Sequence, residues 1–156
     1  MLTMKIGKTE KRGKISFRFD QKANAKYGKD GDGGFYSIYQ SMLRFQAGSI
    51  LKFWDCALAY EKKGPSYDDI EAAVEERMEK DGDTFPMLKE AFQALENSGF
   101  YKAEVKAFWK DMKMSFAPKP EVDGESEKEK ASREQENEQK EIQFQMLTEN
   151  HKELSK

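Results

Sequence analysis

Apolar residues recur along the first 116 positions with two different periods. In "KISFRFD", Ile15, Phe17 and Phe19 alternate with Ser16 and Arg18. A period of two reads as a β-strand, and "MLTMKIG" ahead of it, across "KTEKRG", completes a predicted β-hairpin. From Asp20 the period lengthens to that of a helix. "QKANAKYG" predicts a short helix closed by Gly28. "FYSIYQSMLRF" sets Phe35, Ile38, Tyr39 and Met42 on one helical face. "SILKFWDCALAYEKKG" predicts a helix over 49–63 with Ser49 as N-cap and Leu51, Trp54 and Leu58 on one side. "PSYDDIEAAVEERMEKDG" opens with a capping-box pattern, Ser66 and Asp69, and carries Ile70, Val74 and Met78. "FPMLKEAFQALENSG" sets Leu88, Phe92 and Leu95 together and stops at Gly99. "YKAEVKAFWKDMKMSF" does the same with Val105, Phe108, Trp109 and Met112, which makes Trp109 an expected core residue. The reading is an α+β fold, mainly α, in which an N-terminal β-hairpin packs on a bundle of about five or six helices.

The pattern stops after "FAPKPEVDG". Of 19 aromatic residues, 18 lie between Phe17 and Phe116, and only Phe144 follows. Two prolines favour an extended linker. The charged run "ESEKEKASREQENEQKEIQFQ" lacks the apolar area to offset ordering entropy. Residues 1–116 are therefore read as the folded domain and 117–156 as a flexible, disordered acidic tail, helical only transiently or on a partner.

Charge adds an asymmetry that the net value of −2 hides. Residues 1–30 hold nine Lys/Arg and three Asp/Glu, whereas residues 121–156 hold six and eleven. No apolar run approaches a membrane span, and the first residues show no apolar secretory core. One cysteine, Cys56, excludes an internal disulfide and fits a reducing compartment. Candidate chemistry is sparse. The single histidine, His151, falls in the tail, so the predicted domain holds no imidazole base or ligand. Cys56 and His151 together are too few for a structural zinc site. Carboxylate pairs such as Asp68–Asp69 and Glu75–Glu76 read as a solvated helix face. No catalytic, cofactor-binding or metal-binding residue is assigned, and no enzyme activity is expected.

"YGKDGDGGFY" is the richest short stretch. A calcium loop starting at Asp30 would need glycine at its sixth position and glutamate at its twelfth, but Phe35 and Ser41 stand there. A dinucleotide fingerprint starting at Gly31 ends on Tyr36, and no Lys-Ser/Thr pair follows for a P-loop. The stretch 28–34 reads as a flexible loop between helices, with glycine for positive φ and aspartate for local turns.

One charge pattern stands out. Glu71, Glu75 and Glu79 form an i, i+4, i+8 acidic row, and Lys102, Lys106 and Lys110 form a basic row of the same pitch. Like charges at i, i+4 cost roughly 0.2–0.5 kcal/mol each. Either the rows are two independently solvated faces, or they meet something of opposite sign, each other included.

Taken in order, "KISFRFDQKANAKYG", "FYSIYQSML…ILKFWDCALAYEKKGPSYDDIEAAVEE" and "SGFYKAEVKAFWKDM" resemble a known arrangement: a strand running into a short helix ending in Tyr-Gly, two apolar helices, a Ser-capped acidic helix and a closing helix. Over roughly residues 3–116 the chain resembles the tail assembly chaperones of long-tailed, siphovirus-type phages and prophages of Gram-positive bacteria. The "GKDGDGGF" insertion is richer in Gly and Asp than that pattern. The resemblance implies a non-enzymatic protein of the host cytoplasm, absent from the mature virion. It would self-associate into spirals and coat the tape measure protein before the tail tube polymerises. It also implies a frameshifted longer product whose added domain recruits the tail tube protein. The physical logic fits: a long helical client exposes apolar surface, an aggregation hazard that a small helical protein can mask. The two charge rows are the expected self-association contact. Two alternatives stay open: a small nucleic-acid-binding regulator using the basic N-terminal region, and another phage adaptor such as a head–tail joining protein. The modest charge footprint weighs against nucleic acid.

Overall fold

A computed structural model describes residues 2–29 and 31–156. Strands β1 (Thr3–Ile6) and β2 (Thr9–Arg12) form an antiparallel ribbon with Thr3 opposite Arg12 and Ile6 opposite Thr9. Gly7, at φ 63°, supplies the positive φ that a two-residue hairpin turn needs. The predicted hairpin is present, but its second strand lies in the segment read as the turn. "KISFRFD" is not that strand: helix α1 starts at Phe17 and runs to Tyr27. A five-residue alternation is too short to fix a strand, and the helical period wins because Phe19, Ala23 and Tyr27 at i, i+4, i+8 all turn towards α2 and α3. Phe17, expected inside, is 73 % exposed.

Helices α2 (Gly34–Leu43), α3 (Gly48–Ala57) and α5 (Phe85–Glu96) build the core. Phe35, Ile38, Tyr39, Met42, Phe53, Trp54, Leu88 and Phe92 are buried in one cluster. Ser49 does not cap α3. Ala47 takes that place, and the buried Ser49 hydroxyl donates to the Gln46 carbonyl at 2.6 Å. Helix α4 (Tyr67–Asp81) carries the expected capping box: Asp69 N–H donates to Ser66 Oγ at 3.1 Å and Ser66 N–H to Asp69 Oδ2 at 3.0 Å. Gly82 closes it at φ 74°, and Ile70, Ala73 and Val74 are buried, with α4 seated on α3 and β1. A 3₁₀ turn (Gly99–Tyr101) leads into α6 (Lys102–Ser115).

The described residues between α1 and α2 are tied down on both sides of the loop. Lys29 and Asp32 exchange main-chain hydrogen bonds at 3.1 and 2.8 Å. Asn24 Oδ1 accepts from Gly34 N–H at 2.8 Å, so α1 caps the start of α2. A Cβ on Gly34 would lie 2.0 Å from the Ala23 carbonyl, so only glycine permits this approach. Asp30, the proposed first ligand of the rejected calcium loop, lies outside the described residues.

The mainly α, α+β class holds, but the segment read as a disordered tail is folded. Residues Glu127–Ser155 form α7, capped by Ser126 Oγ accepting from Glu129 N–H at 3.1 Å. Its C-terminal half buries Leu147 and Leu154, with Phe144 and His151 half-buried on the same stripe. Mean composition concealed this seam: a helix docks by one face, and four residues at i, i+3, i+7 and i+10 suffice when the rest stays solvated.

Candidate partner-binding surfaces

The two predicted rows are both exposed. Burial of Ile70, Ala73 and Val74 turns Glu71, Glu75 and Glu79 to solvent on α4. Burial of Phe108 and Met112 does the same for Lys102, Lys106 and Lys110 on α6. Among the described residues none of the six forms an ion pair, within a row or between the rows. Arg77 of α4, by contrast, is engaged: it donates to both carboxylate oxygens of Glu90 at 2.9 and 2.6 Å and ties α4 to α5. Glu90 is bidentate, so the pair is directional as well as attractive.

The basic N-terminal region is partly committed inside the fold. Lys11 pairs with Glu61 at 3.0 Å. Lys22 and Lys26 pair with the buried Asp55 at 2.9 and 2.7 Å, and Tyr27 Oη donates to it at 2.7 Å. Burial alone would raise the Asp55 carboxyl, but the hydrogen bonds from Lys26, Tyr27 and Lys22 outweigh it and hold it below its ordinary value. Next to it, Cys56 is buried, and desolvation, helped by the Asp55 charge, pushes its thiol up to about 12. Trp109 is half-buried rather than central: its indole Nε1–H donates to Tyr39 Oη at 2.9 Å.

A second surface joins residues far apart in the sequence. On α5, Glu96 Oε1 accepts from Tyr39 Oη at 2.8 Å and lies against His151 Nε2, while Oε2 accepts from Ser155 Oγ at 3.2 Å. The His151 ring sits edge-on to Phe92 and Trp109, with centroids 5.8 and 4.9 Å away. Main-chain groups are matched too. Asn150 Nδ2 donates to the Leu43 carbonyl at the end of α2 at 2.8 Å, and Gln93 Nε2 donates to the Leu154 carbonyl at 3.0 Å. Burial opposes ionisation of Glu96, yet the bonds from His151, Tyr39 and Ser155 prevail and keep its carboxyl below the usual range. The outcome is a helix-bearing cleft with a floor from α2, α5 and α6, an aromatic wall and one carboxylate. The only advance hint was the spacing of Phe144, Leu147, His151 and Leu154; their partner Glu96 is 55 residues from His151.

Among the described residues no three His, Cys, Asp or Glu side chains gather as a metal would require. Nor is any described helix long and apolar enough to cross a membrane. Residues 3–110, which include the cleft floor and both charge rows, match the family described as phage tail assembly chaperone protein, TAC. No curated protein and no solved structure matches the chain.

Proposed function

The chain belongs to the phage tail assembly chaperone family, and on that premise we propose that it acts without catalysis, by self-associating and coating the tape measure protein while the tail is built. In this reading it works in the host cytoplasm and leaves before the virion matures. A frameshifted longer product brings in the tail tube protein. The observation that carries self-association is the pair of complementary rows, exposed, equal in pitch and without ion-pair partners among the described residues. A spiral needs a heterologous contact, one patch meeting a different patch on the next copy. Glu71, Glu75 and Glu79 of one copy against Lys102, Lys106 and Lys110 of the next satisfy that demand. Each exposed pair contributes only ~0.2–1 kcal/mol, so the rows set register and neighbouring apolar residues supply affinity. Exposed Met114, next to the lysine row's end, is one such residue.

The test is charge reversal. Glu at 102, 106 and 110 should dissolve the oligomers seen by light scattering at low salt. Adding Lys at 71, 75 and 79 in the same chain should restore them. A wild-type chain that stays monomeric at high micromolar concentration, or a double reversal that does not rescue, removes the proposed contact. Co-expression with the tape measure protein, and its loss of solubility without this chain, tests the coating role.

A further inference from the structure

Helix α7 has the placement of a plug. The cleft floor, Tyr39, Phe92, Glu96 and Trp109, lies inside the segment shared with the family, whereas α7 lies wholly beyond residue 110. Helix α7 is also lightly held for its length. Residues 127–143 contribute no buried side chain, and only Leu147 and Leu154 are buried further on. Several contacts of its first half are to the linker. Lys119 N–H and carbonyl both pair with the Asn137 amide at 2.8 and 3.1 Å, Lys119 Nζ meets Glu136 at 2.7 Å, and Arg133 meets Glu125 at 3.0 Å. Linker and helix are therefore tied to each other as one unit that follows Phe116. At that end a groove of about 880 Å³ stays open between Phe116, Pro118, Phe144 and Thr148.

We infer that this cleft is a docking site for a partner's amphipathic helix, and that α7 occupies it in cis until such a helix displaces it. The chemistry of the occupant is read from α7 itself. It presents apolar anchors at i, i+3 and i+10, where Phe144, Leu147 and Leu154 sit, and a flat, proton-bearing or cationic group at i+7 to meet Glu96. That spacing is heptad-like, so a long helical partner offers the seam repeatedly. Swinging α7 away uncovers an aromatic wall with one carboxylate, a surface that calls for a new cover. Mass action then sets the response: a partner's apparent affinity falls by the fraction of time the cleft stands open. The inference deepens the proposed coating role and rests on it only for the identity of the client.

A fluorescent peptide of residues 138–156 reads the cleft directly by anisotropy, against the full chain. Leu147→Asp with Leu154→Asp should free the cleft, and the peptide should bind this variant at least about tenfold more tightly than it binds the wild-type chain. The same peptide carrying both aspartates should bind neither. Equal affinity for variant and wild type, or no binding to a variant that still melts cooperatively, overturns the inference. If the double aspartate variant loses its cooperative melt, Asn150→Ala with Ser155→Ala, both on α7 and so leaving the cleft itself intact, replaces it. That pair removes two hydrogen bonds and little apolar surface, and should give a smaller gain in peptide affinity; no gain overturns the inference equally. Peptide binding that behaves as expected, alongside a tape measure protein that ignores the chain, would fault the coating role and leave the cleft standing.

Discussion

Replacing Gly34 by alanine tests the closest approach in the molecule. The added Cβ would meet the Ala23 carbonyl carbon and oxygen at 2.0 Å and the Asn24 nitrogen at 2.6 Å, where ordinary contact begins at 3.4 Å. All three are main-chain atoms of α1, so no rotamer change relieves the clash; α1 and α2 must separate by about 1.4 Å. Overpacking of this kind costs ~1–3 kcal/mol. Separation also breaks the Asn24–Gly34 hydrogen bond, worth ~0.5–1.5 kcal/mol. It strains the Tyr101–Asp20 bond of 2.9 Å and the Phe19–Phe53 edge contact as well. A loss of roughly 2–4 kcal/mol lowers the thermal midpoint of a chain this long by roughly 5–15 °C. Gly48→Ala is the control, since nothing lies within 4 Å of the Cβ it would add in α3. It should leave the midpoint unchanged or raise it slightly, by the ~0.4–1 kcal/mol that such a replacement gives at a compatible site. Circular dichroism melts of both variants decide the matter. A Gly34→Ala midpoint within about 2 °C of wild type would refute the close packing of α1 on α2.

Three further outcomes follow from other sites. The Glu96 carboxyl is held below its ordinary value of 4.5, so its contribution is full above that pH and is lost as pH falls through the lower folded value; Trp109 emission should shift red in that acid range, and Glu96→Gln should show the shift already at neutral pH. Ending the chain at residue 116 tests the proposal that 1–116 folds alone: the fragment should stay helical but lose the burial of Leu147 and Leu154, at most ~1.5–3 kcal/mol each, and melt several degrees lower. An unchanged midpoint would mean that α7 does not dock in solution. Ser66→Ala removes one half of the α4 capping box and should cost ~1 kcal/mol in urea melts, with no change in oligomer formation.

What the sequence made legible was local. Ser66 and Asp69 are three residues apart, and the two reciprocal bonds between them make the capping box, so pattern and structure coincide. The faces of α2 and α5 were legible for the same reason: Phe35, Ile38, Tyr39 and Met42, or Leu88, Phe92 and Leu95, recur often enough to fix a period. The β2–α1 boundary was not, because Ile15, Phe17 and Phe19 alternate over too few residues to fix a period, and the choice is made by α3, which receives Phe19. For α7, composition averages over the whole 29-residue helix, whereas docking depends on a stripe of four side chains. The Glu96 cluster joins α2, α5, α6 and α7, and no window of sequence holds more than a fragment of it. The two charge rows were read as rows, and each is an exposed row on its helix, because an i, i+4, i+8 spacing is itself local.

The lone thiol gives the protein an internal clock. Cys56 is 1 % exposed, and its thiol is pushed up to about 12, so at neutral pH it is both unreachable and protonated while the fold is closed. An alkylating reagent can modify it only when α3 is laid open. Where reclosing outpaces the chemistry, the modification rate is the intrinsic thiol rate scaled by the open fraction. The mass added at this one atom then times excursions of the core, in the free chain or in a mixed assembly, with no engineered label.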